Sequence, residues 1–144
     1  MNRTMMKEIY RQQVANPATI TTGTIPATYI DASPYEAFAF VLELGATDNT
    51  VDMKVVQATA GAGTGSKDVS GAVITQLSGT DDNKQASIEV DTANLDLANG
   101  FRYVAVTATI AGTTTASIYF VGYNAKSVPV TQPAAYVEQV TVGG

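Results

Sequence analysis

The acidic side chains are the first place to look for chemistry in this chain, because it holds no histidine and no cysteine. Without His it lacks the commonest general base and the commonest transition-metal ligand. Without Cys it lacks a thiol nucleophile, thiolate metal sites and disulfides. Two carboxylate pairs remain, Asp81 with Asp82 and Asp91 with Asp96. Glycoside hydrolysis needs two carboxyls facing each other across a cleft, one of them with a raised pKa. Asp81 and Asp82 instead stand side by side in SGTDDNK, a turn text in which adjacent acids serve turn geometry. The run DTANLD, Asp91 to Asp96, brings oxygen ligands close together as calcium would require. It lacks the alternating acids and closing Glu of an EF-hand loop, so Asn94 and Asp96 are expected to cap a short turn.

The glycine-rich stretch AGAGTGSKDVSG invites a phosphate-binding reading. A P-loop needs G-x-x-x-x-G-K-[ST] between a strand and a helix. Here Gly61, Gly63 and Gly65 precede Ser66 and Lys67, the lysine is followed by Asp68, and no helical pattern comes after. A mobile surface loop is the expectation. No catalytic residue, metal or other cofactor is expected anywhere in the chain, so an enzyme is not.

The elements around these residues read as β-structure. Tyr35 to Leu44 is a strongly apolar strand, followed by a turn over Gly45 to Asn49. Val51 to Thr59 sets Val51, Met53 and Val55 against Asp52 and Lys54, the alternation of a half-buried strand. Val69 to Leu77 is a weaker strand. Gln85 to Asp91 turns Ala86, Ile88 and Val90 inward, and Leu95 and Leu97 are expected to cap the core in the loop after it. Phe101 to Ile110 is apolar on both faces, which suggests a central strand, and AGTTT is read as the turn of a hairpin joining it to Ala116 to Tyr123. A last short strand is expected near Tyr136 to Val142. About eight short strands without an internal repeat make the fold class all-β, a single β-sandwich of jelly-roll-like form.

The first part of the chain reads differently. Residues 1 to 12 can form a short helix, which would need something to pack against. From Val14 to Ser33 the spaced residues Ile20, Ile25, Tyr29 and Ile30 sit among Thr and Ala, and Pro17, Pro26 and Pro34 punctuate the segment and its end. Proline cannot donate to a central ladder. The segment is either an extended arm or an edge strand folded back on its own domain. The organisation expected is an N-terminal arm over 1–34 and a β-sandwich over 35–144. Tyr10, Tyr29 and Tyr35 fall in or beside the arm, where amphipathic rings suit an interface.

Charge removes further classes. The net charge is −5, and the eight Lys and Arg are scattered. A nucleic-acid surface wants a basic stripe, and an anionic membrane surface is disfavoured for the same reason. The longest apolar run, Ala37 to Leu42, is too short to span a bilayer. MNRTMMKEIYRQQ has no apolar core of a secretory signal, so a cytoplasmic origin is expected. Charged residues make up only 15% of the chain, which fits a surface partly covered by neighbours.

One passage carries a family likeness. LSGTDDNK, a short alternating strand, and then NLDLANGFRYVAVTATI resemble small head proteins of siphovirus-type tailed phages, over roughly residues 70 to 124. The resemblance implies a capsid decoration or cement protein, a β-rich homotrimer that binds the major capsid protein on the outside of the virion. It would be made in the host cytoplasm, with no nucleic acid or membrane as partner. The motifs define no functional residue to carry over. Partner-binding is instead expected of the extended arm, through Ile20, Ile25, Tyr29 and Ile30, since an extended segment can join a neighbour's sheet edge. A phage tail or neck subunit and a carbohydrate-binding β-module are the alternatives.

Overall fold

From Val104 to Phe120 the even-numbered side chains keep to one buried face: Val104, Val106, Ala108, Ile110, Thr114, Ala116, Ile118 and Phe120. Thr109, Ala111, Thr113 and Thr115 point outward. That unbroken period of two makes a single strand of 23 residues out of Tyr103–Ala125, and the other elements are arranged along it. The structure is a computed structural model, and it describes residues 5–140 and Val142. In chain order the elements are α1 (Met5–Glu8), β1 (Tyr10–Ile25), β2 (Ile30–Asp31), β3 (Tyr35–Thr47), β4 (Val51–Ala58), β5 (Lys67–Val73), β6 (Gln85–Asp91) and β7 (Tyr103–Ala125), with 3₁₀ turns over Thr92–Asn94 and Leu97–Asn99.

Every ladder is antiparallel. On one side of β7 lie β1 and then β2, from Tyr10 opposite Gly122 to Asp31 opposite Tyr103. The other side is shared. β4 pairs with the first part of β7, Ala58 opposite Tyr103 to Val51 opposite Ile110. β3 takes over from Thr47 opposite Thr114 to Tyr35 opposite Ala125. β5 extends the sheet beyond β4, and β6 extends it beyond β3. One seven-stranded antiparallel sheet thus wraps nearly into a barrel, and its two halves face each other as an all-β sandwich.

Between the halves lies an aromatic cluster. Phe38, Phe40 and Phe120 are fully buried, and the Phe120 ring lies 5.3 Å from Phe40, 5.8 Å from Phe38 and 6.0 Å from Tyr35. Contacts of this geometry add about 0.5–1.5 kcal/mol each beyond the area they bury. Tyr35 packs over Gly122, where a Cβ would come within 2.6 Å of its ring. Burial pushes the Tyr35 hydroxyl up to about 12, and Tyr10 and Asp31 nearby add to the shift.

β7 carries an extra residue around Gly112, because Thr113 pairs with Thr21 but Ile110 with Gly23, and a bulged strand bends there. There the β3–β4 turn is clasped to β7: Asp48 N donates to Thr113 O (3.1 Å), Thr113 N to Asp48 Oδ1 (2.7 Å), and Ala111 N to Thr50 O (3.0 Å). Just inside, the buried Thr47 and Thr114 hydroxyls meet at 2.7 Å. A Cβ on residue 112 would overlap the Asp48 carboxylate and stand 2.6 Å from Asn49 Cβ.

Several sequence expectations change. The hairpin read into AGTTT does not exist, because three consecutive β-branched threonines continue the strand and Gly112 supplies a bend instead of a turn. β3 runs on through Thr47, so the turn starts later than Gly45. The weak strand lies over Lys67–Val73, with Leu77 making only an isolated bridge to Val51. Leu95 is buried, but Leu97 is exposed. Residues 136–140 form no strand, and Thr141 lies outside the described residues. The helix is confined to Met5–Glu8, with residues 1–4 of that expectation outside the described residues. The N-terminal segment is extended and lies as an edge strand along its own domain, and Pro17 falls where β1 slips register between Ala15 and Ala18.

Replacing Gly112 by Ala is expected to lower unfolding stability by about 1–3 kcal/mol in urea titration, the range for forced overpacking. With Asp48→Ala added, the two losses should sum to less than their separate values, because the second change removes what the new methyl strikes. Full additivity would mean the clasp does not set the bend.

Candidate functional site

The acids singled out in the sequence are occupied by the fold. Asp81 accepts from Ser78 N (2.7 Å), from the Ser78 hydroxyl (3.1 Å) and from Lys84 Nζ (2.8 Å), closing the turn before β6. The Lys84 hydrogen bond, followed by those from Ser78, holds the Asp81 carboxyl down at about 2. Asp82 Oδ1 accepts from Thr47 N at 2.7 Å and ties the same turn to β3. A general acid needs the opposite shift. Asp91 Oδ1 caps the first 3₁₀ turn through Ala93 N, so the capping expected of Asn94 and Asp96 falls to Asp91. The Asp96 carboxylate instead takes Lys67 Nζ at 2.5 Å and Asn99 Nδ2 at 2.8 Å, and both hold its pKa down. Lys67, the lysine of the glycine-rich stretch, also lies 3.9 Å over the Phe101 ring. Among the described residues no three acidic side chains gather where they could hold a metal ion.

What the fold leaves open is an edge. β1 pairs with β7 on one side only, and it is 16 residues long. From Gln12 to Ile30 the chain carries no charged residue. Asn16 to Thr19, Thr21, Thr22 and Thr24 are exposed. The beginning of this edge is covered by the chain's own C-terminal segment. Gln132 Oε1 accepts from Arg11 N (3.0 Å), Gln132 Nε2 donates to Ile9 O (2.6 Å), and Val130 N donates to Lys7 O (2.9 Å). Beyond Gln132 a turn is closed by Tyr136 N donating to Pro133 O.

Beneath that segment lies an open cleft of about 460 Å³ on the outer face of the β1, β7 and β3 strands. The Arg11 guanidinium sits 4.7 Å over the Tyr119 ring, and Tyr136, Gln13, Glu43 and Glu138 complete the polar and aromatic lining. Such a cleft can stack and hydrogen-bond a ligand. Ser117 is the aliphatic hydroxyl among the lining residues, and Glu43 stands opposite it in the β3–β7 register.

The four residues nominated for partner binding separate. Ile25 and Ile30 lie in the protein's own core. Ile20 is half-buried and packs against that core. Tyr29 is half-buried, donates to Ser66 Oγ (2.8 Å) and rests against Gly63, where a Cβ would come within 2.6 Å of the ring. The edge strand was one of the two arrangements the sequence allowed, but partner binding was expected of its side chains and not of its unpaired backbone. The absence of any charge from Gln12 to Ile30 was the available signal, because exposed edges ordinarily carry one.

No family model matches the chain, and no curated protein matches its sequence. Among solved structures, it is similar to a chain of the Triatoma virus empty capsid, with a TM-score of 0.46 and 9% identity over 88% of this chain and 97% of that one. It is also similar to a Bacillus endospore appendage pilus chain, with a TM-score of 0.38 and 18% identity over 83% and 91%. A third likeness is to a CBM4 structure, with a TM-score of 0.46 and 12% identity over 83% and 88%. At TM-scores this low the likenesses carry no functional argument.

The Asp81 turn sets a pH dependence. Its carboxyl is depressed in the folded chain, so its contribution to stability is present above the ordinary value of 3.8 and is lost as pH falls through about 2. Urea titrations between pH 5 and 2 should show part of the acid destabilisation disappear in Asp81→Asn. An unchanged pH slope would show that the turn gains nothing from the ionised form.

Proposed function

We propose that this chain is a non-enzymatic structural protein of a tailed-phage virion, a homotrimer that binds the major capsid protein and decorates the outside of the head. The observation that carries the reading is the long uncharged edge of β1, which suits a subunit built to be covered. Two further features support it. The passage that resembles phage head proteins builds β6, the two 3₁₀ turns and most of β7, the strand on which β1, β2, β3 and β4 pair. The acids and the lysine that could have done chemistry are held in turns and ion pairs.

The shell-facing surface on this reading is the pair of loops over 26–29 and 59–66, neither of which carries a charged residue. Tyr29 OH and Ser66 Oγ tie the two loops together there. Of the nominated residues Tyr29 belongs to this end and Ile20 to the open edge, while Ile25 and Ile30 act by holding the segment down.

A second reading draws on the cleft. Tyr136 and Tyr119 with Arg11 and Gln13 offer the aromatic and polar groups that a carbohydrate-binding module uses. Retention of a defined glycan that Tyr136→Ala abolishes would favour it over the virion reading.

Quantitative mass spectrometry of purified phage particles tests the proposal. A copy number near parity with the major capsid protein is expected. A few copies per particle would move the chain to the tail or neck, and absence from particles would overturn the reading.

A further inference from the structure

The start of β1 is closed off by a side chain. Ile9 O accepts from Gln132 Nε2 (2.6 Å), and Arg11 N donates to Gln132 Oε1 (3.0 Å). These two bonds straddle Tyr10, and they are the pair that one residue of a parallel neighbouring strand would make through its own N–H and C=O. A glutamine amide offers the same donor and acceptor. It offers them once, since no further peptide unit follows along the edge. Two residues earlier the main chain itself makes the contact, Val130 N donating to Lys7 O at 2.9 Å. Pro129 and Pro133 bracket this stretch, and neither has an N–H to present to a further chain. Covering an edge with an ordinary strand only moves the unpaired row outward by one strand. Covering it with a side-chain amide between two prolines ends the row.

We infer that residues 129–133 are an edge cap: they stop another chain from adding a strand at the start of β1, and Gln132 is the latch that holds them there. The position of the cap fits that task. From Tyr10 opposite Gly122 to Gln13 opposite Tyr119 the ladder to β7 is regular, and a regular edge is the easier template for an incoming strand. Beyond Gln13 the register shifts at Gln13/Ala15, Ala15/Ala18 and Thr21/Gly23 break the edge into shorter runs. The cap therefore stands against the stretch that no bulge protects. A neighbour's strand is thereby kept to the edge beyond Gln13, so the cap governs where on β1 two chains can meet. The inference holds whether or not the chain decorates a head, because its readouts are amide protection and mass in solution.

Hydrogen exchange tests the latch first. The Arg11 amide bonds to Gln132 and not to β7, so its protection in the full chain reports the cap directly. In Gln132→Ala it should exchange about tenfold faster, the effect of losing one hydrogen bond of ordinary net strength. Light scattering after size exclusion should then give folded Gln132→Ala a larger mass than the unaltered chain, rising with concentration. Adding Arg11→Pro should return the mass to that of the unaltered chain. Proline removes the N–H that an incoming strand would use and leaves the ladder to β7 intact, because that N–H faces outward. Rapid exchange at Arg11 in the unaltered chain overturns the inference without requiring any variant to fold. A mass for Gln132→Ala that matches the unaltered chain at every concentration also overturns it, and so does association that Arg11→Pro leaves in place.

Discussion

The fold depends on β7 remaining one strand. A flat strand of that length would leave one half-sheet without a facing partner. By bending at Gly112 it serves both halves, and the same buried face that packs Val104 and Val106 in one half packs Ile118 and Phe120 in the other. The bend is specific because the turn after β3 enters it: Asp48 exchanges hydrogen bonds with Thr113 on both its backbone and its side chain. β4 ends its pairing at Ile110 and β3 takes up at Thr114, so the hand-over falls on the bend itself. The Thr47–Thr114 hydroxyl pair satisfies the buried polar groups there, which unpaired would each cost about 1–3 kcal/mol.

The alternating strands were legible for a physical reason. In β6 and β4 one face is dry and the other wet, so side-chain type reports orientation, and Gln85–Asp91 has the bounds that the alternation gives. The continuity of β7 was not legible in the same way. AGTTT has the small residues of a turn, and nothing local distinguishes a glycine that bends a strand from one that ends it. The difference lies in Asp48, which is far away in sequence. The acids show a similar split. Their placement in turns could be read from Gly, Asn and Ser around them, but Asp82 reaching Thr47 N and Asp96 reaching Lys67 are long-range outcomes. For the same reason Ile25 and Ile30 looked available for a partner. Spaced apolar residues in an extended segment look alike whether the core they meet is another protein's or their own.

The three outer strands of the sheet are not equivalent, and that asymmetry bears most on function. An unpaired strand offers a row of backbone donors and acceptors that any other chain can take up, and proteins ordinarily guard it with charge, proline, bulges or cover. β5 and β6 are short, seven residues each, and both carry charges. β1 is more than twice as long; the C-terminal segment covers its start, and its ladder is broken by register shifts at Gln13/Ala15, Ala15/Ala18 and Thr21/Gly23 instead of by charge. Beyond Pro17 come Thr, Ile and Gly. A free monomer gains nothing from such a strand and risks indiscriminate pairing through it. In an assembled subunit, charge on this edge would have to be desolvated at each contact, which costs several kcal/mol per unpaired ion. The absence of charge is therefore what a strand would show if it spends its working life paired.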